Sequence, residues 1–209
     1  MPKLSIVVPC WKRPARTRRI INNILAQDCN DWEAFIIGDG CTQFQSLIVS
    51  GEADFYTNIA NMSGNQMHIF NLDKNYGGYG HHAINLAIER ATGEFFIFAG
   101  NDDRLHHTHF NHYLSEIAET TLDMVYYKTW CEPYSEKRYP ELKKSKIGHS
   151  EVIIRTSKLK GLKQPPSYTG DWELIKQLLD KTSAVAEAKS QKTTYFITSI
   201  QNKTFDIID

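Results

Sequence analysis

Gly93-Glu94-Phe95-Phe96-Ile97-Phe98-Ala99-Gly100-Asn101-Asp102-Asp103-Arg104 reads as an apolar, buried strand that runs directly into two adjacent carboxylates. Acids at the carboxyl end of such a strand stand where open α/β sheets bind their ligands. Two neighbouring carboxylates there are costly without a cation, and hard divalent ions such as Mg²⁺ or Mn²⁺ prefer oxygen ligands and phosphate partners. A metal-assisted phosphate site is the first expectation.

Outward from this stretch, short apolar runs alternate with helical patterns. Residues 4–8 form a strand. Pro14 opens a helix whose Ile20, Ile21, Ile24 and Leu25 recur at helical spacing up to Gln27. Residues 32–37 form a second strand closed by Gly38-Asp39-Gly40, and 43–50 a helix. The polar stretch 56–66 has no readable register. A third strand spans 68–72, Ala83, Leu86, Ala87 and Ala91 mark a helix face, and 95–99 is the fourth strand. This alternation predicts an α/β fold with a mostly parallel sheet flanked by helices. Further on, 109–119 and 172–179 read as helices, and 124–129, 152–155 and 194–198 as strands. The charged, proline-punctuated segment 132–146 reads as an exposed loop or hairpin over the site.

The 209 residues fit one domain, 1–209, with a nucleotide-binding half over about 1–104 and an acceptor-binding half over about 105–209. Twenty-four basic and twenty-four acidic residues balance to zero formal charge, which argues against a nucleic-acid groove or an anionic membrane surface as the main partner. Cys10, Cys29, Cys41 and Cys131 have no zinc-type spacing and read as free thiols of a reducing compartment. Without an apolar leader or a membrane-length apolar run, the expectation is a cytoplasmic protein with no transmembrane segment.

The ends of strands one, two and four bring Pro9-Cys10-Trp11, Asp39 and Asn101-Asp102-Asp103 to one sheet edge. An aromatic face, an acceptor for a base or ribose, and a metal ligand are the parts needed to hold a nucleotide diphosphate.

Three segments in order, Leu4 to Pro14, Ile36-Ile37-Gly38-Asp39-Gly40-Cys41-Thr42, and Ala83-Ile84-Asn85-Leu86-Ala87 followed by Ala91-Thr92-Gly93-Glu94, resemble the family 2 glycosyltransferases of the GT-A fold. The resemblance implies inverting transfer of a sugar from a nucleotide-diphosphate sugar, a UDP-sugar above all, to a hydroxyl of a glycan, with Mn²⁺ or Mg²⁺ as cofactor. It implies that Pro9 and Trp11 line the base, that Asp39 hydrogen-bonds it, and that Gly78 lets its loop pass close to the donor. It puts Asn101 at the ribose or sugar, and Asp102 on the metal as the second acid of the Asp-x-Asp motif; Arg13 reads either as a phosphate contact or, with Arg16, Arg18 and Arg19, as part of an ordinary solvated face. Asp103 is a helper ligand or a cap for a helix after Arg104. The sequence departs from the motif at Gly100, which stands where the first acid belongs. Tyr168-Thr169-Gly170-Asp171-Trp172-Glu173 resembles the family's later acidic motif, making Asp171 the general base and Trp172 a sugar-stacking neighbour. Gly148-His149-Ser150 resembles the segment that brings a histidine to the acceptor and diphosphate.

Three other readings stand beside this one. Gly78-Tyr79-Gly80-His81-His82-Ala83 fits the dinucleotide pattern of a nicotinamide-dependent oxidoreductase. His106, His107, His109 and His112 read as a solvated helix start, or with the two acids as a metal-hydrolase site. Loss of the first acid at Gly100 would suit a nucleotide-sugar-binding module without activity.

Overall fold

The computed structural model describes residues 3–198. Its elements in chain order are β1 (Leu4–Cys10), α1 (Pro14–Leu25), β2 (Trp32–Gly38), α2 (Thr42–Val49), α3 (Glu52–Met62), β3 (Gln66–Asn71), α4 (His81–Arg90), β4 (Phe95–Phe98), β5 (Arg104–Leu105) and α5 (His109–Ile117). There follow β6 (Met124–Tyr126), β7 (Thr129–Cys131), β8 (Glu136–Arg138), β9 (Val152–Arg155), α6 (Thr156–Leu159), α7 (Gly170–Leu179), β10 (Val185–Glu187) and β11 (Tyr195–Ile197).

Seven strands form the central sheet in the order β10-β6-β9-β4-β1-β2-β3. β1 pairs in parallel with both β2 and β4, and β2 with β3. β9 pairs antiparallel with β4 and β6. The chain steps from β1 outward to β2 and β3, then returns to the other side of β1 for β4. The β1/β4 boundary is therefore the point at which strand order reverses, where α/β sheets open their binding crevice.

Side chains alternate along β1 because the pleat has a period of two. Leu4, Ile6 and Val8 face a core completed by Ile20, Ile21 and Ile24 of α1, Phe44 and Leu47 of α2, and Tyr56 of α3. Val7 faces a second core with Ala83, Ile84 and Ala87 of α4 and Leu174, Ile175 and Leu178 of α7. The spacing of Thr17, Ile20, Ile21 and Ile24 makes α1 one-sided, and Pro14 suits its first turn.

A second sheet, β5-β11-β7-β8, lies beyond the first. The strand expected over 124–129 is divided between the two: Met124–Tyr126 belongs to the large sheet and Thr129–Cys131 to the small one. Between them Tyr127 is buried, with its hydroxyl donating to the Tyr113 carbonyl at 2.8 Å. The stretch without readable register is largely α3, which buries only Ala53, Tyr56 and Ala60. No helix of the described residues is long and apolar enough to cross a membrane.

The histidine-rich stretch is solvated only at its start, where His107 is exposed and His106 half-buried. His109 and His112 face inward from α5, and His109 Nδ1 lies 2.9 Å from the Thr194 hydroxyl. Burial pushes His109 down to about 3, so it stays neutral. Among the described residues, no group of three or more His, Cys, Asp or Glu is gathered to hold a metal.

Candidate active site

After β1, Lys12 and Arg13 both adopt left-handed backbone, with φ of 55° and 52°, at a cost of about 1–2 kcal/mol each. The turn leaves Trp11 43% exposed at the sheet edge and aims Arg13 Nη1 at Asp102 Oδ2, 2.5 Å away. Arg16 Nη1 lies 3.8 Å from the same oxygen. Strain of this kind survives where surrounding structure imposes it, and here it sets two arginines beside the acid that ends β4.

Asp39 is buried and organises a loop. Its Oδ2 accepts from Asn75 Nδ2 at 2.8 Å and the Gly77 amide at 3.0 Å, and its Oδ1 from the Tyr76 amide at 2.9 Å. A carboxylate offers about four acceptor positions, and these bonds use three of them. The dinucleotide-like pattern begins here at Gly78, several residues after β3 ends. It lacks the tight strand-to-helix turn that such a fingerprint needs.

The paired acids part company. Asp102, with its side chain 21% exposed, faces the arginines, and its carbonyl accepts from Arg19 Nη2 at 2.5 Å and from the Thr198 hydroxyl. Asp103 turns inward: its Oδ2 accepts from the Tyr195 hydroxyl at 2.7 Å and its Oδ1 from the Thr198 amide at 3.0 Å. Burial and the neighbouring Asp102 charge push Asp103 up to about 7. These bonds tie it to Tyr195 of β11 and to Thr198 just beyond that strand. It caps no helix, because Arg104 begins β5. Asn101, expected at the sugar, is buried with its amide 3.4 Å from the Thr17 hydroxyl on α1. A Cβ on Gly100 would fall 2.6 Å from Asp103 Oδ2. A side chain on Gly100 would therefore collide with Asp103.

Across the crevice is an open cavity of about 320 Å³ lined by Tyr79, Arg138, His149, Gln164, Tyr168 and Asp171 among others. Asp171 stands in the first turn of α7 and accepts from the Trp172 amide at 2.8 Å through Oδ1. One orphan donor of the helix start is thereby satisfied. Trp172 packs against the α4–α7 core and is absent from the cavity wall, so the exposed aromatic faces are those of Tyr79 and Tyr168. His149 stacks on Phe98, with centroids 4.3 Å apart. Its Nε2 is shut off from water without a hydrogen-bond partner. Burial pushes His149 down to about 4, against an opposing pull from the Asp171 charge.

Glu151 escaped the sequence reading. Fully buried, it accepts from the Gly148 amide at 2.8 Å and the Thr129 hydroxyl at 3.2 Å, and pairs with Arg138 Nε at 2.8 Å. Burial raises it to about 7 despite the arginine. The one signal available was the three-residue spacing from Gly148 to Glu151, which is that of a capping box. A Cβ on Gly148 would lie 3.2 Å from Asp171 Oδ2 and 3.8 Å from Glu151 Oε2, so both carboxylates converge on this glycine.

The sequence pattern of the family described as Glycosyl transferase family 2 matches residues 5–178. The chain belongs to this family. The match runs from β1 to the last turn of α7 and so includes both halves of the site. Among curated relatives, the poly(ribitol-phosphate) beta-N-acetylglucosaminyltransferase TarS of Staphylococcus aureus is 30% identical over 104 residues, covering 49% of this chain and 17% of its own. The GalNAc(5)-diNAcBac-PP-undecaprenol beta-1,3-glucosyltransferase of Campylobacter jejuni is 28% identical over 106 residues, covering 50% of this chain and 31% of its own. The chain thus matches less than a third of either relative. In fold it is similar to TarS 1–349 in complex with UDP, with a TM-score of 0.76 at 19% identity over 94% of this chain and 60% of that one. It is also similar to a mannosyltransferase of Pyrobaculum calidifontis in complex with GDP-Man and Mn²⁺, with a TM-score of 0.71 at 14% identity, covering 96% and 58%. The GT-A fold expected from the sequence is the fold observed.

Proposed function

We propose that this chain transfers a sugar, with inversion, from a UDP-sugar to an acceptor hydroxyl. One observation carries the reading: the reversal point of the sheet gathers Trp11, the Asp39-anchored loop and Asp102 on one side of the crevice, with Asp171 facing a cavity on the other. The choice of UDP is supported by the TarS relative, whose 1–349 portion has been solved with UDP and with UDP-GlcNAc.

Trp11 offers an exposed ring for the base, and the Asp39 carboxylate offers it a hydrogen-bond acceptor. Arg13 and Arg16 supply positive charge where the diphosphate would lie, and Asp102 is the acid they leave at the crevice. A carboxylate completed by phosphate oxygens is a donor set suited to Mg²⁺ or Mn²⁺; Asp102 would hold such an ion at the crevice, while buried Asp103 accepts from Tyr195 and Thr198. When bound, the ion would offset charge growing on the leaving diphosphate. In the transfer, the acceptor oxygen bonds to the anomeric carbon as the bond from that carbon to the diphosphate oxygen breaks. The electron pair leaves on the diphosphate and the hydroxyl proton passes to the Asp171 carboxylate. His149, neutral and buried, packs beside Asp171 without adding charge.

A calorimetric screen of UDP- and GDP-sugars with and without Mn²⁺ tests this reading. UDP-sugars should bind, Mn²⁺ should tighten them, and Asp102→Ala should abolish the Mn²⁺ effect. Equal affinity in the variant would remove Asp102 from the metal.

A further inference from the structure

Arg138 and Asp171 line the same cavity, and an arginine fork within reach of a carboxylate tends to form a two-point pair with it. Such a pair favours the charged carboxylate and weakens its hold on a proton. That is the reverse of what a general base needs. Arg138 nevertheless pairs with a different acid: its Nε lies 2.8 Å from Glu151 Oε1. Its side chain is 39% exposed, and its Nη groups have no partner among the described residues.

Strand register brings this pair together. Thr129 of β7 and Arg138 of β8 stand directly opposite each other in the antiparallel hairpin, so their side chains leave the sheet on the same face. Both meet Glu151, whose Oε1 also accepts from the Thr129 hydroxyl at 3.2 Å while its Oε2 accepts from the Gly148 amide at 2.8 Å. Two acids thus compete for one arginine. Glu151 is fully buried, and a dry carboxylate is costly unless it is paired as well as hydrogen-bonded. Asp171 is half-buried, accepts from the Trp172 amide, and is reached by water. The drier acid has the greater need of the cation. The competitor is close, because a Cβ on Gly148 would lie 3.2 Å from Asp171 Oδ2 and 3.8 Å from Glu151 Oε2. Burial above all raises Glu151, and the Asp171 charge adds to the rise, as befits two acids facing each other across a glycine.

We propose that Glu151 is a positioning residue for the transfer: by holding Arg138 it keeps the Asp171 carboxylate free to take the acceptor proton. The catalytic consequence rests on the transfer reaction proposed above, whereas the competition for Arg138 does not. Denaturant unfolding of the whole chain tests the competition through the coupling between Arg138→Gln and Asp171→Asn. With Glu151 present, the two changes should be additive to within about twofold in the folding equilibrium. In Glu151→Gln, which keeps the shape and drops the charge, Arg138 turns to Asp171 and the coupling should rise to roughly three- to tenfold. Glu151→Asp keeps the charge but shortens its reach; it should show intermediate coupling, and serves alone if Glu151→Gln does not fold. Single-turnover release of UDP from UDP-sugars, with water as acceptor, reads the consequence. Glu151→Gln should slow release by about tenfold or more while UDP affinity stays within about twofold, and adding Arg138→Gln should recover most of the lost rate. A merely structural loss would not be repaired by a second substitution. The proposal is overturned if the coupling is as large with Glu151 as without it, if it is absent from both Glu151 variants, or if removing Arg138 recovers no rate. Coupling that appears as stated in a protein that turns over no UDP-sugar would keep Glu151 as the holder of Arg138 and sink the transferase reading.

Discussion

Restoring the acid that Gly100 replaces should damage the protein. In Gly100→Asp the new Cβ would lie 2.6 Å from Asp103 Oδ2 and 3.0 Å from Asp102 Oδ1, closer than ordinary van der Waals contact. Asp103 would have to move, and its bonds from the Tyr195 hydroxyl at 2.7 Å and the Thr198 amide at 3.0 Å would break or lengthen. Hydrogen bonds to a charged group contribute about 1.5–3 kcal/mol each, so losing one or most of both costs roughly 2–5 kcal/mol, before any repulsion among three carboxylates. For a chain of this size that corresponds to a fall in Tm of about 5–15 °C. Guanidinium unfolding followed by tryptophan fluorescence measures it. Asp103→Ala empties the space, so adding Gly100→Asp to that variant should cost little more, a non-additivity that a double-mutant cycle reads directly. A Gly100→Asp protein as stable as its parent, or strictly additive costs, would refute the idea that a side chain on Gly100 collides with Asp103.

Asp39→Ala removes the acceptor for Asn75, Tyr76 and Gly77, and should raise proteolytic cleavage in the 75–80 loop and weaken UDP binding by more than about tenfold, the equivalent of one charged hydrogen bond. Unchanged cleavage and affinity would mean that the loop is held by other contacts. His149 bears on acid stability: its folded value of about 4 lies below the ordinary 6.5, so between those values the unfolded chain binds the extra proton and stability falls as pH falls. His149→Phe preserves the stack on Phe98 and removes that proton. Its stability should therefore decline less steeply from pH 6.5 to pH 4, by about one proton in the linkage slope, as measured by denaturant unfolding at a series of pH values. Parallel curves would show that His149 takes up its proton in the folded state as readily as in the unfolded chain.

β1, β2 and β4 were legible because each is an apolar run closed by Pro or Gly, and burial on both faces demands that composition; the edge strand β3 is more exposed and showed only in its short apolar run. α3 was not legible, since its buried stripe consists of Ala53, Tyr56 and Ala60, and small residues leave little hydrophobic period among Thr57, Asn58 and Asn61. The small sheet was hidden for another reason: its strands are two or three residues long, and Arg104–Leu105 finds its partner only at Tyr195 and Phe196, far along the chain. At the site, the residue types and order pointed to Asp39, Asp102 and Asp171, whose setting follows from strand and helix ends. The burial of Asp103 and Asn101 was not legible, because adjacency to Asp102 says nothing about which way a turn directs successive side chains. Trp172 is partly buried against the core that α7 covers, a placement that its residue type does not reveal.

The claim that Asp171 takes the acceptor proton is tested most directly by Asp171→Asn, in which the side chain keeps its size and loses its basicity. Donor affinity, measured by calorimetry with UDP-sugar and Mn²⁺, should stay within about twofold of the parent, while the single-turnover rate of transfer should fall by about 10²- to 10⁴-fold. Transfer at the parental rate with donor binding intact would contradict the assignment and place the base elsewhere in the cavity.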